Sequence, residues 1–136
     1  MEKNSLDVEI TTPKKQISID AVEACSAPGV LGRFQIMADH TAFLSELEIG
    51  ELDVDVRDQK RKYAISGGFL EVLDNHILLL LESCESRDEI DVERARKAKE
   101  RAERRLREKA PGTDILRAET ALARAMNRLR VAEKVI

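Results

Sequence analysis

Leu6, Val8 and Ile10 alternate with polar residues, and Ile17 and Ile19 do the same beyond a break at Pro13-Lys14-Lys15. Alternation at period two is the mark of half-buried strands. A strand around Val22–Cys25 follows, and Ala27-Pro28-Gly29 reads as the next turn. Leu52, Val54 and Val56 alternate with Asp53 and Asp55. Tyr63-Ala64-Ile65 runs into Ser66-Gly67-Gly68, which reads as a hairpin turn, and Phe69–Val72 resumes the strand pattern. Asp74-Asn75 marks a turn before the continuous apolar run His76–Leu81. Short strands at such spacing, broken by Gly, Pro and Asn/Asp turns, predict a β-sandwich or flattened barrel.

After Cys84 the pattern changes. From Ile90 to Lys109 there is no Gly or Pro, and Ala, Arg, Lys and Glu dominate; these are strong helix formers. Asp88 or Asp91 can cap the start. Pro111-Gly112 breaks the run, and Thr113 or Asp114 can cap a second helix reaching to about Lys134. Two helices joined by so short a turn must fold back antiparallel. The apolar seam is Ala95, Ala98, Ala102 and Leu106 on the first helix. On the second it is Ile115, Ala118, Leu122, Ala125, Leu129 and Ala132. At about 25 cal/mol per Å², a seam so rich in alanine contributes only a few kcal/mol against the entropy of ordering. The expected organisation is a β-domain over residues 1–86 and a marginal, releasable hairpin over 87–136.

Charge sharpens that division. The net charge of −3 hides a difference in sign between the two parts. Residues 1–90 hold 9 Lys/Arg against 18 Asp/Glu, and residues 91–136 hold 14 against 8. A basic tail on an acidic body suggests an acidic partner: protein, nucleotide, nucleic acid or anionic membrane surface. With three Phe, one Tyr and no Trp, base stacking on aromatic platforms is disfavoured. Cys25 and Cys84 have no metal-ligand spacing and read as reduced thiols acting as small hydrophobes. Met1-Glu2-Lys3-Asn4 lacks the apolar segment of a signal peptide. The run Ile77–Leu81 falls well short of the roughly 20 residues that span a bilayer. The chain is expected to be soluble, or to reach a membrane only through partners.

No catalytic set stands out. His40 and His76 lack a nucleophile at a recognisable spacing, and both read as structural histidines. Asp53 and Asp55 share a strand face and read as solvated. Gly67-Gly68 precedes a strand rather than a helix, which argues against a phosphate loop. The arginines carry more chemistry. Arg94 and Arg101 are seven apart on one face of the first helix; Arg124 and Arg128 are four apart on one face of the second. If those faces converge, several guanidinium forks can grip one phosphate or carboxylate. Asp91 and Glu85, near the first helix's start, could hold an arginine or accept from a base or ribose. The competing reading is a solvated charged face with pairs such as Glu100–Arg104 and Glu103–Arg107.

Four stretches together carry a resemblance: Gly32–Leu44, ending Asp39-His40-Thr41-Ala42-Phe43-Leu44; Tyr63–Val72; Ile90-Asp91-Val92-Glu93-Arg94-Ala95; and Arg124-Ala125-Met126-Asn127-Arg128-Leu129. Along essentially its whole length the chain resembles the epsilon subunit of the bacterial F-type ATP synthase. The resemblance implies an α+β chain, with an N-terminal ten-stranded β-sandwich followed by a C-terminal antiparallel two-helix hairpin. It implies a non-catalytic central-stalk subunit, touching the gamma subunit, the ring of c subunits and the alpha and beta subunits of the catalytic head. The expected location is the cytoplasmic face of the bacterial cell membrane, with membrane contact only through the complex. The hairpin of this family folds down on the β-domain or extends into the head, where it blocks ATP hydrolysis. In some members ATP holds it folded, as a regulatory ligand with no metal required. The ATP-contacting positions of those members correspond to Glu85, Asp91, Arg94, Arg101, Arg124 and Arg128. The chain departs from the family at Arg33, where an acidic residue is usual, and at Ala38-Asp39, which replace Pro-Gly. From the residues alone, the rival is a stand-alone adaptor whose basic helical arm binds nucleic acid or an acidic protein.

Overall fold

The computed structural model describes residues 5–133, and these divide into two compact units with the boundary between Ser86 and Arg87. The first contains seven strands: β1 (Leu6–Thr11), β2 (Gln16–Gly29), β3 (Gly32–Met37), β4 (Phe43–Val56), β5 (Gln59–Leu73), β6 (His76–Leu81) and β7 (Cys84–Ser86). The second contains a 3-10 turn at Arg87–Glu89, then α1 (Val92–Glu108) and α2 (Ile115–Ala132). The expected reach of the second helix to Lys134 lies outside the described residues.

The strands follow the order β1-β6-β5-β4-β2-β3, and β1 also pairs with β2. That extra pairing closes the sheet into a flattened barrel. β1 runs antiparallel to β2, with Ile10 opposite Ile17, and parallel to β6, with Val8 opposite Ile77 and Ile10 opposite Leu79. Closure leaves β1 no open backbone edge to invite a foreign strand. The alternating residues of these strands form one core, including Leu6, Val8, Ile10, Val22, Leu52, Val54, Ile65, Leu70, Val72, Ile77 and Leu79.

Strand count departs from the implied ten. β2, β4 and β5 run unbroken for 14, 14 and 15 residues. In β2 a bend falls where its pairing with β4 shifts register between Val22 and Ala24, beside Ala21 at φ 57°. The turn expected at Ala27-Pro28-Gly29 lies two residues later, because Pro28 and Gly29 still pair with Arg33 and Gly32 of β3. Pro28, with no N–H to donate, sits inside a second irregularity of the β2–β4 pairing, between Ser26 and Gly29. Its ring packs so closely on Gly50 that a Cβ there would fall within 2.6 Å of it.

Gly67-Gly68 likewise form no hairpin turn; they kink β5 in mid-strand at φ 113° and 144°. A Cβ on Gly68 would land on the Leu80 carbonyl oxygen, so this glycine lets β5 and β6 approach. β6 also alternates, although its sequence is continuously apolar. Ile77, Leu79 and Leu81 are buried, whereas Leu80 is about half exposed. Leu80 faces Phe69 across the ladder, and Leu44, Phe69 and Leu73 are exposed with it.

Charged residues form a ladder across β4 and β5. Lys62, opposite Asp53, reaches Glu51 at 2.6 Å and Asp53 at 3.5 Å, and Lys60 reaches Asp55 at 3.0 Å. Arg33 approaches Asp53 at 3.3 Å and donates to the Glu51 carbonyl at 2.6 Å. Asp53 is therefore buried and ion-paired rather than solvated. Burial and the neighbouring Glu51 hold its carboxyl above the ordinary aspartate range, against the pull of Lys62 and Arg33. Lys62 titrates above the ordinary lysine range, because its carboxylate partners outweigh its own desolvation. Its contribution is thus full at neutral pH and lost only as strong alkali removes the proton. Beneath the ladder the Cys25 thiol is pushed up to about 12, chiefly by burial and then by Asp53 and Asp55. Cys25 and Cys84 are both buried, neither is in a disulfide, and both act as apolar core.

Gly68→Ala should cost about 2–3 kcal/mol or more, combining left-handed strain with a clash against backbone, measured by denaturant unfolding. Lys62→Ala should cost about 1–2 kcal/mol at neutral pH by taking the cation from Glu51 and leaving Asp53 with Arg33 alone. That deficit should shrink on acidification, because a protonated Asp53 no longer needs the cation; a pH-independent deficit would refute the ladder's role.

Candidate functional site

The second unit is built by its caps. Asp91 and Asp114 adopt extended backbone ahead of the helices, and each carboxylate accepts from the amide three residues on, Arg94 and Arg117, at 3.0 Å. Lys109, at φ 48°, ends α1 with its N–H bonded to Arg105 O at 3.0 Å. Gly112, at φ 86°, turns the chain. α1 and α2 then pack together, with Ala95, Ala102, Ala118 and Ala125 fully buried.

The expected seam is only partly this deep. Ala98, Leu106, Leu122, Leu129 and Ala132 are half-buried, and Ile115, the first residue of α2, is exposed at the end of the hairpin. α2 also buries Asn127 and Val131, on a stripe well away from the alanines, and it meets the Arg87–Glu89 turn. The Asn127–Val131 stripe was not legible in the alanine periodicity.

The arginines follow from the seam. Arg94, Arg101, Arg117 and Arg124 each immediately precede one of the four buried alanines. At about 100° per residue they stand to one side of it, and in an antiparallel pair that side is the same for both helices. Arg105 and Arg128 lie three residues beyond a buried alanine, which returns them to the same flank. Six guanidinium groups therefore line one edge of the hairpin. Within the two helices, the acids at or near that edge include Asp91 and Asp114, both engaged as caps, and Glu108 at the last residue of α1. The opposite edge is mixed: Arg96, Glu100, Glu103, Glu119 and Met126 lie there, and Arg96 pairs with Glu93 at 2.7 Å.

Of the six residues expected to contact ATP, Arg94, Arg101, Arg124 and Arg128 thus share one edge, and Asp91 stands at the start of α1. Glu85 lies in β7 of the first unit, on the strand that pairs with Tyr63–Ile65. Arg105 and Arg117 were missed, although their spacing to Arg101 and Arg124, four and seven residues, carries the same signal. All six arginines belong to the pattern; four of them had been singled out.

Elsewhere the candidates resolve into structure. The His40 ring packs edge-on against Phe43, which meets Phe34 in the same way, and its Nδ1 lies 2.7 Å from Thr41 O. His76 Nε2 lies 3.5 Å from Glu9. The turn before His40 is held without Pro-Gly. Asp39 takes φ 67°, and the Asn75 side chain accepts from its amide and donates to its carboxylate. Arg33 turns back onto its own barrel, while Leu31, at the tip of the same hairpin, is fully exposed. Among the described residues no helix is long and apolar enough to cross a membrane, and no His/Cys/Asp/Glu group is placed to hold a metal.

Comparison with known proteins agrees across both units. Residues 5–87 match the family described as ATP synthase, Delta/Epsilon chain, beta-sandwich domain, and residues 88–133 match its long alpha-helix domain. An ATP synthase epsilon chain of Nitratidesulfovibrio vulgaris is 45% identical over 131 residues, covering 96% of this chain and 97% of the relative. One from Moorella thermoacetica is 41% identical over 129 residues, covering 94% and 96%. The fold also matches a chain in the OSCP/F1/c-ring structure of the Euglena gracilis mitochondrial ATP synthase. That match has a TM-score of 0.79 at 24% identity, over 92% of this chain and 79% of that one. The chain belongs to the delta/epsilon chain family of the ATP synthases, as a non-catalytic subunit of the epsilon type.

Proposed function

We propose that this chain is a central-stalk subunit of a bacterial rotary ATP synthase that couples the catalytic head to the membrane ring and restrains ATP hydrolysis through its helical hairpin. The observation that carries the regulatory part is the arginine edge laid along a seam of alanines. A seam of small side chains brings the helices close yet buries little apolar area, so its opening costs little. Six like charges beside it favour separation, and a bound polyanion offsets them. ATP is that ligand: Arg94, Arg101, Arg124 and Arg128 supply bidentate forks for its phosphates. Asp91 and Glu85 are the acceptors assigned to its base and ribose. When the hairpin opens, the same arginines become available to acidic segments of the alpha and beta subunits.

The β-domain supplies the permanent contacts. Exposed Leu44, Phe69, Leu73 and Leu80 offer an apolar face to the gamma subunit. The Val30-Leu31 tip faces the ring of c subunits with an apolar contact, since Arg33 is engaged within its own barrel. Membrane association at the cytoplasmic face follows through the complex.

A ligand that binds only the closed hairpin stabilises it by RT ln(1 + [L]/Kd), about 2.7 kcal/mol at a hundredfold excess over Kd. Arg94→Ala and Arg128→Ala should each weaken ATP binding to the full chain by roughly 10- to 100-fold, as loss of a charged hydrogen bond predicts; binding equal to wild type would remove the site. In the reconstituted head sector, a chain ending at Ser86 should allow faster ATP hydrolysis than the full chain. Equal rates would leave the stalk role and eliminate the inhibitory one.

A further inference from the structure

The four buried alanines set the register of the hairpin, Ala95 against Ala125 and Ala102 against Ala118. In that register the six arginines form two groups. Arg94, Arg124 and Arg128 stand toward Asp91. Arg101, Arg105 and Arg117 stand toward the hairpin turn. Arg105 lies about 16 Å along α1 from Arg94, at 1.5 Å per residue. Arg105 and Arg117 therefore stand apart from Arg94, Arg124 and Arg128, with Arg101 between the two ends along α1. Arg105 and Arg117, from different helices, line the same hollow, together with Pro111, Gly112, Thr113 and Asp114. The only carboxylate in that lining belongs to Asp114, which already accepts from the Arg117 amide.

We propose that Arg105 and Arg117 form a second oxyanion site, at the hairpin turn, that binds inorganic phosphate or a terminal phosphoryl group and fastens α1 to α2. Two arginines that line one hollow from opposite helices carry like charge across a seam that buries little. A doubly charged tetrahedral oxyanion between them accepts a fork from each side and turns the repulsion into a bridge. The site is independent of the ATP reading, because neither residue belongs to the six positions assigned to the nucleotide. It would make hairpin closure respond to phosphate as well as to ATP.

The test is hydrogen exchange on the full-length chain, in inorganic phosphate against chloride at matched ionic strength. At phosphate tenfold above half-saturation, amides of α1 and α2 should open about tenfold less often, with those of β1–β6 unchanged. Arg105→Gln and Arg117→Gln should each abolish the response, and Arg94→Gln should preserve it. Arg105→Lys keeps the charge but loses the fork, so it should hold the resting hairpin while losing most of the response. The proposal fails if chloride protects as well as phosphate, which would mean screening alone. It also fails if the Arg105 and Arg117 variants respond like wild type, or if Arg94→Gln removes the effect, placing phosphate at the other end. A second arm with ATP separates the two sites. Protection by ATP that is lost in Arg94→Gln but kept in Arg105→Gln supports both; loss of ATP protection alone would overturn the nucleotide site and leave this one.

Discussion

Everything in the first unit depends on β1 pairing on both of its sides. Six residues, Leu6–Thr11, hold β2 antiparallel on one side and β6 parallel on the other, and so turn an open sheet into a closed one. Closure carries demands of its own. The long strands must bend, which places left-handed backbone at Ala21 and at Gly67-Gly68. Neighbouring strands must come close, which requires Gly68 under the Leu80 carbonyl and Gly50 under Pro28. The inner face then fills with aliphatic side chains, and charges opposite one another on the outer face pair into the Lys62–Asp53–Arg33 ladder. A rigid body of this kind can carry lasting contacts because its own structure does not depend on them.

The hairpin follows the opposite logic. Its buried residues on the seam are four alanines, each removing little apolar surface from water. Its caps are sound, with Asp91 and Asp114 both bonded to backbone, so each helix is well defined at its start while the pair is weakly joined. Strong local structure with weak tertiary attachment is what a switch element needs: the helices survive release, and the energy separating joined from parted states stays within reach of a ligand.

The sequence was most legible where side-chain period and capping chemistry act locally. Period-two alternation located β1, the start of β2 and the end of β4, and the change to Ala/Arg/Glu composition located both helices and their caps. It misled where one residue type serves two geometries. Gly67-Gly68 and Ala27-Pro28-Gly29 have the composition of turns, yet both lie within strands, because barrel closure needs bends and close approaches that also select Gly and Pro. The stretch 43–51 gave no strand signal of its own; its pairing with β5 makes it one. Asp53 looked solvated because a single strand cannot reveal the Lys62 opposite it or the Arg33 beside it.

The arginine edge shows why pairwise spacing understated the site. Arg94–Arg101 and Arg124–Arg128 were visible as separate pairs, each easily assigned to a solvated face. Antiparallel packing adds one relation that spacing lacks: residues preceding a seam position on either helix emerge on the same side. With that relation, Arg105 and Arg117 cease to be background charge and join the other four. Opposite signs are not interspersed along this edge as they are on the other, so intrahelical ion pairs cannot account for it. A row of guanidinium groups beside a seam of small side chains is an edge on which a bound anion, rather than intrahelical pairing, would favour closure.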